Sequence, residues 1–491
     1  MGMTRSVALA VAASCLAACA VGPDFEKPAP PAAKDYGHAP MAGEVAGATG
    51  GGATQRFVAG MDIPDQWWTL FHSPKLSKLV GESLKANPDV AAAQAALRQS
   101  HELYSAQWTS FFPTVQGNFG ATRQKFANNT LTAPTNSPNP TFNLYTAQLS
   151  LSYAPDVFGA NRRAVESAEA QEENSRFQLE ATYLTLSSNV VVTAIQEASL
   201  RGQIAATERL LVLQHQLTEI VRRQRAIGAA SALDLLSQEA AEAQTAQTLP
   251  PLQKQLGLAR DALTALLGRL PSEEPNETFN LDDLTLPADL PVSLPSKLVE
   301  QRPDVRQAEA NLHAATAEVG VAVAAMLPQF AIDAGTGSNA LQIGQLFTPG
   351  NGFWAEGASL TQTLFDVGAL LHRRRAADAA MDQAAAQYRS AVILAFQNVA
   401  DTLRALKADA DAEKASAIAD RAAGLAFELA QRQLKFGAIS QTALMNAEQT
   451  YRQAEIQLVL ARANRYSDTA ALFQALGGGW WNRKEEEHRD G

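Results

Sequence analysis

Arg223-Gln-Arg-Ala-Ile-Gly228-Ala-Ala-Ser231 recurs as Arg432-Gln-Leu-Lys-Phe-Gly437-Ala-Ile-Ser440, with the two glycines 209 residues apart (437 − 228 = 209). Each copy ends one long helix and begins another. Glycine stops a helix in the left-handed conformation, and serine caps the next one. Upstream of the first copy, residues 160 to about 227 hold no proline and a single glycine. Leu179, Tyr183, Leu186 and Val190, then Leu200, Ile204 and Leu211, fall at alternating four- and three-residue steps. A period near 3.5 keeps one apolar stripe against a partner helix, as in a coiled coil. At 1.5 Å per residue such an arm is on the order of 100 Å long. The spacing predicts a second helix from Ser231 to about Leu267, and the same hairpin again between Gly368 and Leu476.

Working outward, Asn87-Pro88-Asp89-Val90 matches Arg302-Pro303-Asp304-Val305, and Pro113 matches Pro328, both at an offset of 215 residues. A constant offset across a whole helix marks a duplicated unit. A helix is expected from Lys75 to Phe112. After Pro113 the period drops to two. In 114–124, Val115, Gly117, Phe119 and Ala121 alternate with Gln116, Asn118, Gly120 and Thr122; in 142–153, Tyr145, Ala147, Leu149, Leu151 and Tyr153 alternate with Thr146, Gln148, Ser150 and Ser152. The second copy repeats strand, loop and strand over 329–336 and 353–365, though Glu356 and Gln362 fall in phase with Trp354 and Leu360. One apolar face and one small, polar face suit an outer-membrane barrel strand around a watery lumen. A hairpin half-buried on a soluble core would alternate in the same way, and the secretory context described next favours the barrel. Four strands cannot close a barrel, and open edges in lipid leave backbone groups unpaired. The chain must therefore oligomerise: two copies give eight strands, three give twelve.

The N-terminus carries Arg5, then an apolar run from Val7 to Leu16, too short to span a bilayer. It ends in Leu16-Ala17-Ala18-Cys19, which resembles a lipobox. That predicts a signal peptide over 1–18, diacylglycerol and an N-acyl chain on Cys19, and a Pro-, Ala- and Gly-rich tether over 19–60. Cys15 leaves with the signal, so no intramolecular disulfide is possible. Residues 61–270 form the first repeat, 271–295 an equatorial linker, 296–479 the second repeat and 480–491 a C-terminal tail, solvated and frayed from Arg483 on. Net charge of −10 and a pI near 5.3 argue against a nucleic-acid partner. The seven histidines are scattered without the i, i+4 spacing of a zinc helix, and no Walker-type glycine loop is present. No catalytic or metal site is expected.

The lipobox followed by Val21-Gly22-Pro23-Asp24-Phe25, Trp67-Trp68, the Asn-Pro-Asp and Arg-Pro-Asp repeats, Phe158-Gly159 and the terminal Leu-Gly-Gly-Gly-Trp resemble the outer-membrane efflux lipoproteins, the TolC-like exit ducts of the OprM and NodT branch. The resemblance covers essentially the whole mature chain. It implies a mainly α fold with a small β part: a long α-helical barrel, four strands per chain in a trimeric twelve-stranded β-barrel, and an equatorial domain. It further implies a homotrimer, a periplasmic adaptor protein and an inner-membrane pump of the resistance-nodulation-division class. The expected function is passive exit of drugs or other small molecules across the outer membrane. The competing reading is a lipid-tethered periplasmic coiled-coil scaffold with no pore.

Such ducts usually place an Asp at the tip of the second hairpin, where this chain has Asn446, in Leu444-Met445-Asn446. The first hairpin carries Asp234 near Arg222, Arg223 and Arg225. A resting gate is therefore expected with Asp234 paired to a tip arginine such as Arg223, and Leu444 or Met445 as an apolar plug; the alternative is that Asp234 is a first-turn helix residue favoured by the dipole and Asn446 packs in the helix interface. Gly228, Ser231, Gly437 and Ser440 are the expected adaptor contacts. Arg162-Arg163 and His372-Arg373-Arg374-Arg375 follow barrel strands and are candidate contacts for lipid phosphates.

Overall fold

The computed structural model describes residues 20–33, 35–36, 44–45, 54–125, 141–293 and 295–483. Cys19, the loop between the first two long strands and the end of the charged tail lie outside the described residues. In chain order the elements are β1 (Glu44–Val45), β2 (Gln55–Ala59), α1 (Pro74–Ala86), α2 (Pro88–Trp108), β3 (Thr114–Lys125), β4 (Thr141–Tyr153), α3 (Ala160–Ala226), α4 (Ala232–Ala246), α5 (Leu249–Leu266) and β5 (Asp289–Val292). Then follow α6 (Pro295–Gln301), α7 (Pro303–Ala324), β6 (Gln329–Ala340), β7 (Gly352–Thr361), α8 (Ala369–Lys435) and α9 (Gln441–Ala475).

The duplication is built residue for residue. Both α3 and α8 run 67 residues. Each starts behind a left-handed glycine, Gly159 at φ 80° and Gly368 at φ 89°. An aspartate caps each start: Asp156 accepts from the amides of Asn161 and Arg162, both at 3.0 Å, and Asp366 from those of Gly368 and Leu370 at 2.9 and 2.8 Å. These acceptors satisfy amides that a helix leaves unpaired at its N-terminus.

Prolines divide two helices that periodicity predicts as continuous. The stretch from Lys75 to Phe112 breaks at Asn87, whose side chain accepts from the Asp89 amide at 2.8 Å ahead of Pro88. The arm returning from the first tip breaks between Ala246 and Leu249, where Pro250 and Pro251 open α5. A proline ring has no N–H and clashes with the preceding turn. The second repeat has no proline there, so α9 runs 35 residues unbroken.

The chain divides into two compact units, which cut across the sequence repeats. The first comprises residues to Lys27, Arg98–Asn174 and Glu309–Gln387; the second comprises Pro28–Leu97, Ser175–Ala308 and Tyr388–Gly491. Strands pair between the repeats. In the first unit the antiparallel sheet runs β3-β4-β6-β7, with β4 on β6 joining the two halves.

The span expected to be a plain tether is partly built into both units. In the first, Val21 donates its amide to Phe158 at 3.1 Å, Phe25 stacks on His313 at 4.3 Å, and Lys27 lies 3.6 Å from Glu309. In the second, β2 pairs in parallel with β5 and antiparallel with β1. The segment expected as an equatorial linker, 271–295, is therefore joined through β5 to two strands from upstream. Gln55 is fully buried, accepting from Arg465 at 2.9 Å, and Arg465, also fully buried, holds Glu413 at 2.6 Å.

The core of the second unit is aromatic. Trp67 stacks on Phe473 at 5.3 Å with Phe71 edge-on, all three buried. Each such ring contributes about 1.5–3 kcal/mol from burial. The C-terminal tail is packed as far as Arg483, the first residue of the stretch expected to fray. Trp480 donates to the Gln301 carbonyl at 2.7 Å, and Arg483 lies 4.5 Å over the Tyr183 ring and pairs with Glu180. Gly478 sits at φ 68°, a left-handed backbone that accounts for glycine there.

Candidate functional site

The four-stranded sheet keeps one register throughout. Val115 faces Leu151, Leu151 faces Ala334, and Ala334 faces Glu356; Phe119 faces Ala147 and Leu149 faces Thr336. Side chains alternate across a strand, so facing residues share a face of the sheet. One face thus gathers Val115, Phe119, Leu149, Leu151, Phe330, Ile332, Trp354 and Leu360. Five of these are more than half exposed: Val115 at 66%, Phe119 63%, Leu149 56%, Trp354 74% and Leu360 60%. The other face carries Gln116, Asn118, Thr122, Thr146, Gln148, Ser150, Ser152, Asp333 and Ser359. Exposed large apolar side chains backed by a polar face suit a wall between lipid and water. The strands of 12, 13, 12 and 10 residues meet the about 9–11 that a tilted strand needs to cross. Among the described residues no helix is long and apolar enough to cross a membrane.

The two hairpin tips are built alike. Gly228 at φ 76° and Gly437 at φ 69° end the outgoing helices, with the amides of Ala229 and Ala438 donating back to Gln224 and Gln433 at 2.8 and 2.9 Å. Ser231 and Ser440 cap the return helices through their hydroxyls, each accepting at 3.1 Å from the amides of Asp234 and Ala443. No atom lies within 4 Å of a Cβ built on either glycine, so the backbone angle alone selects glycine there. Ile227, Leu233 and Phe436 are exposed at the tips, at 80%, 73% and 88%; sequence reasoning missed them because they fit the helical stripe.

Two expected gate roles are corrected. Asp234 is not paired to an arginine of its hairpin. Its carboxylate accepts the Ser231 amide at 2.8 Å in a capping box, and these hydrogen bonds to Ser231 hold its pKa below the ordinary carboxylate value. Arg222 pairs instead with Glu219 and Glu239. Met445 is no plug: it is 5% exposed and packs on Leu210, Leu213 and Leu217, with Ile220 alongside. Leu444 is half-buried, and Asn446 and Arg223 are exposed.

The first basic cluster is likewise neutralised from within. Arg162 pairs with Asp156 at 3.2 Å, and Arg163, buried, holds Asp24 at 2.5 Å and Glu166 at 2.7 Å. His372, Arg373, Arg374 and Arg375 are exposed, with Arg374 3.8 Å from Asp378. Among the described residues no group of three or more His, Cys, Asp or Glu is placed to hold a metal.

The family pattern of the outer membrane efflux proteins matches residues 79–269 and 294–478. The pyoverdine export outer membrane protein OpmQ of Pseudomonas putida is 30% identical over 426 residues, covering 85% of this chain and 89% of that protein. A probable efflux pump outer membrane protein of the same species, TtgC, is 28% identical over 484 residues, covering 98% and 97%. The solved outer-membrane channel OprN superposes with a TM-score of 0.82 at 27% identity, covering 94% of this chain and 100% of that one. The open-state MtrE channel of Neisseria gonorrhoeae gives 0.76 at 26% identity, covering 94% and 99%. With its two-faced strand sheet and paired helical hairpins, the chain belongs to the outer membrane efflux protein family. It is an outer-membrane efflux channel component with a TolC-like fold, not a scaffold without a pore.

Proposed function

We propose that three copies close a twelve-stranded barrel and that the chain is the passive exit duct of a tripartite exporter, fed by an inner-membrane pump of the resistance-nodulation-division class through a periplasmic adaptor. The carrying observation is the four-stranded sheet with segregated faces and two free edges, β3 and β7. Unpaired edges in hydrocarbon cost several kcal/mol per backbone group, and closure removes them. The duct performs no covalent chemistry; its cargo is whatever the pump delivers.

Cys19 carries the acyl chains and holds the chain to outer-membrane lipid. The tips around Gly228, Ser231, Gly437 and Ser440, with exposed Ile227, Leu233 and Phe436, receive the adaptor. Leu444 and Asn446 line the resting constriction, where an amide hydrogen-bonds without focusing cations as a carboxylate would. Native mass spectrometry of the detergent-purified protein tests the assembly. A three-chain species is expected, and a solely monomeric or dimeric protein overturns it.

A further inference from the structure

Glu356 stands on the apolar face of the sheet. It pairs across from Ala334, in phase with Trp354 and Leu360, and its exposed side chain makes no hydrogen bond or ion pair to any described residue. A carboxylate facing hydrocarbon without a partner is costly. Arg123 shares that face: it pairs with Asn143, in phase with Phe119 and Ala121, and is also without a hydrogen bond or ion pair among the described residues. Glu356 lies on one edge strand, β7, and Arg123 on the other, β3.

The internal repeat supplies the register between these edges. The offset of 215 carries β3 onto β6 end to end, Thr114 onto Gln329 and Lys125 onto Ala340. The offset of 209 carries β4 onto β7: Phe119 faces Ala147 in the first repeat, and their images Ala334 and Glu356 face each other in the second. Within the chain the repeats are joined where β4 meets β6, and there Ala147 faces Ser338. If the same junction joins β7 of one copy to β3 of the next, Ala147 becomes Glu356 (147 + 209 = 356) and Ser338 becomes Arg123 (338 − 215 = 123).

We propose that Glu356 of one copy and Arg123 of the next form a cross-strand ion pair on the lipid-facing wall and thereby set the register of the seam between copies. This rests on the closed three-copy barrel. Opposite charges directly across a strand pair attract, and each removes the other's uncompensated charge from the lipid face. The same register sets Leu360 against Phe119, Ala358 against Ala121 and Leu364 against Val115 on the apolar side. It sets Thr361 against Asn118 and Gly357 against Thr122 on the polar side, so both faces continue across the seam. A slip of one residue would exchange the faces.

The test is cysteine cross-linking of the full chain in outer membranes, read on non-reducing gels beside a native-mass count of the unsubstituted protein. Glu356→Cys with Arg123→Cys should give covalent inter-copy bands severalfold stronger than Glu356→Cys with Ala121→Cys or with Lys125→Cys, the pairs of a two-residue slip. Independently, Glu356→Arg and Arg123→Glu should each lose detergent-resistant oligomer, and the double reversal should regain it. A native trimer that cross-links best at position 121 or 125, or not at all, overturns the seam register alone. Charge reversals that leave the oligomer intact also overturn the ion pair. A native count of one copy overturns the three-copy barrel and the seam with it.

Discussion

Replacing Asp409 by Asn stabilises the protein in alkaline solution and leaves it unchanged only near about pH 4. Asp409 on α8 faces Asp468 and Arg465 of α9, and one of its oxygens is buried without a hydrogen-bond partner among the described residues. Burial first, and then the neighbouring Asp468, push its pKa from the ordinary 3.8 up to about 7, while Arg465 opposes the shift. A raised carboxyl pKa means the folded state binds the proton more tightly. Its contribution is full below about pH 4 and is lost as the pH climbs through about 7. At about 1.36 kcal/mol per unit the full shift would correspond to about 4 kcal/mol. Asp409 is only partly buried, so solvent screening reduces this to about 1–2 kcal/mol. The amide cannot ionise and still hydrogen-bonds Asp468. Thermal unfolding followed by circular dichroism should therefore place the Asp409→Asn midpoint a few degrees above the unsubstituted protein at about pH 8, less far above it at about pH 5, and level with it at about pH 4. A midpoint lowered by the same amount at all of these pH values would refute the shared-proton reasoning.

Glu413→Ala removes the carboxylate held by the fully buried Arg465, which also bonds Gln55, and should cost about 3–5 kcal/mol in urea unfolding; a loss below about 1 kcal/mol would show the pair to be solvated. Gly228→Ala and Gly437→Ala force alanine to φ near 76° and 69° and should cost about 1–2 kcal/mol each, weakening drug resistance in cells while the oligomer persists on gels; equal loss of oligomer would remove the adaptor role of the tips. Cys19→Ser should abolish metabolic palmitate labelling and leave the body folded but less efficiently localised, so label retained on that variant would count against the lipid anchor.

Much of this was legible before any coordinates. The 215-residue offset from Pro88 and Pro113 to Pro303 and Pro328 proves to be the residue-for-residue map of β3 onto β6. Two-residue alternation placed Val115, Phe119 and Leu149 on one face because side chains in an extended chain must alternate. Short strands gave no such signal. Gln55–Ala59 and Asp289–Val292 are too brief to show a period, and burial of Gln55 makes sense only once Arg465 is beside it. The resemblance locates Leu444-Met445-Asn446 at the second tip, but it does not show that Met445 turns inward onto Leu210, Leu213 and Leu217. Asp234 read as a gate group because the capping box, a Ser followed three residues later by an acid, uses the same residue types as an ion-pair lock. Glu356 interrupts the alternation of β7 in the sequence, and it stands on the apolar face with no side-chain partner among the described residues.

Planar-bilayer recording from the purified, membrane-inserted protein tests the central claim most directly. A twelve-stranded duct with a polar inner face predicts discrete, uniform conductance steps that appear as the oligomer inserts. Inserted protein that forms the intact oligomer yet never conducts, at any voltage or salt concentration, would contradict it.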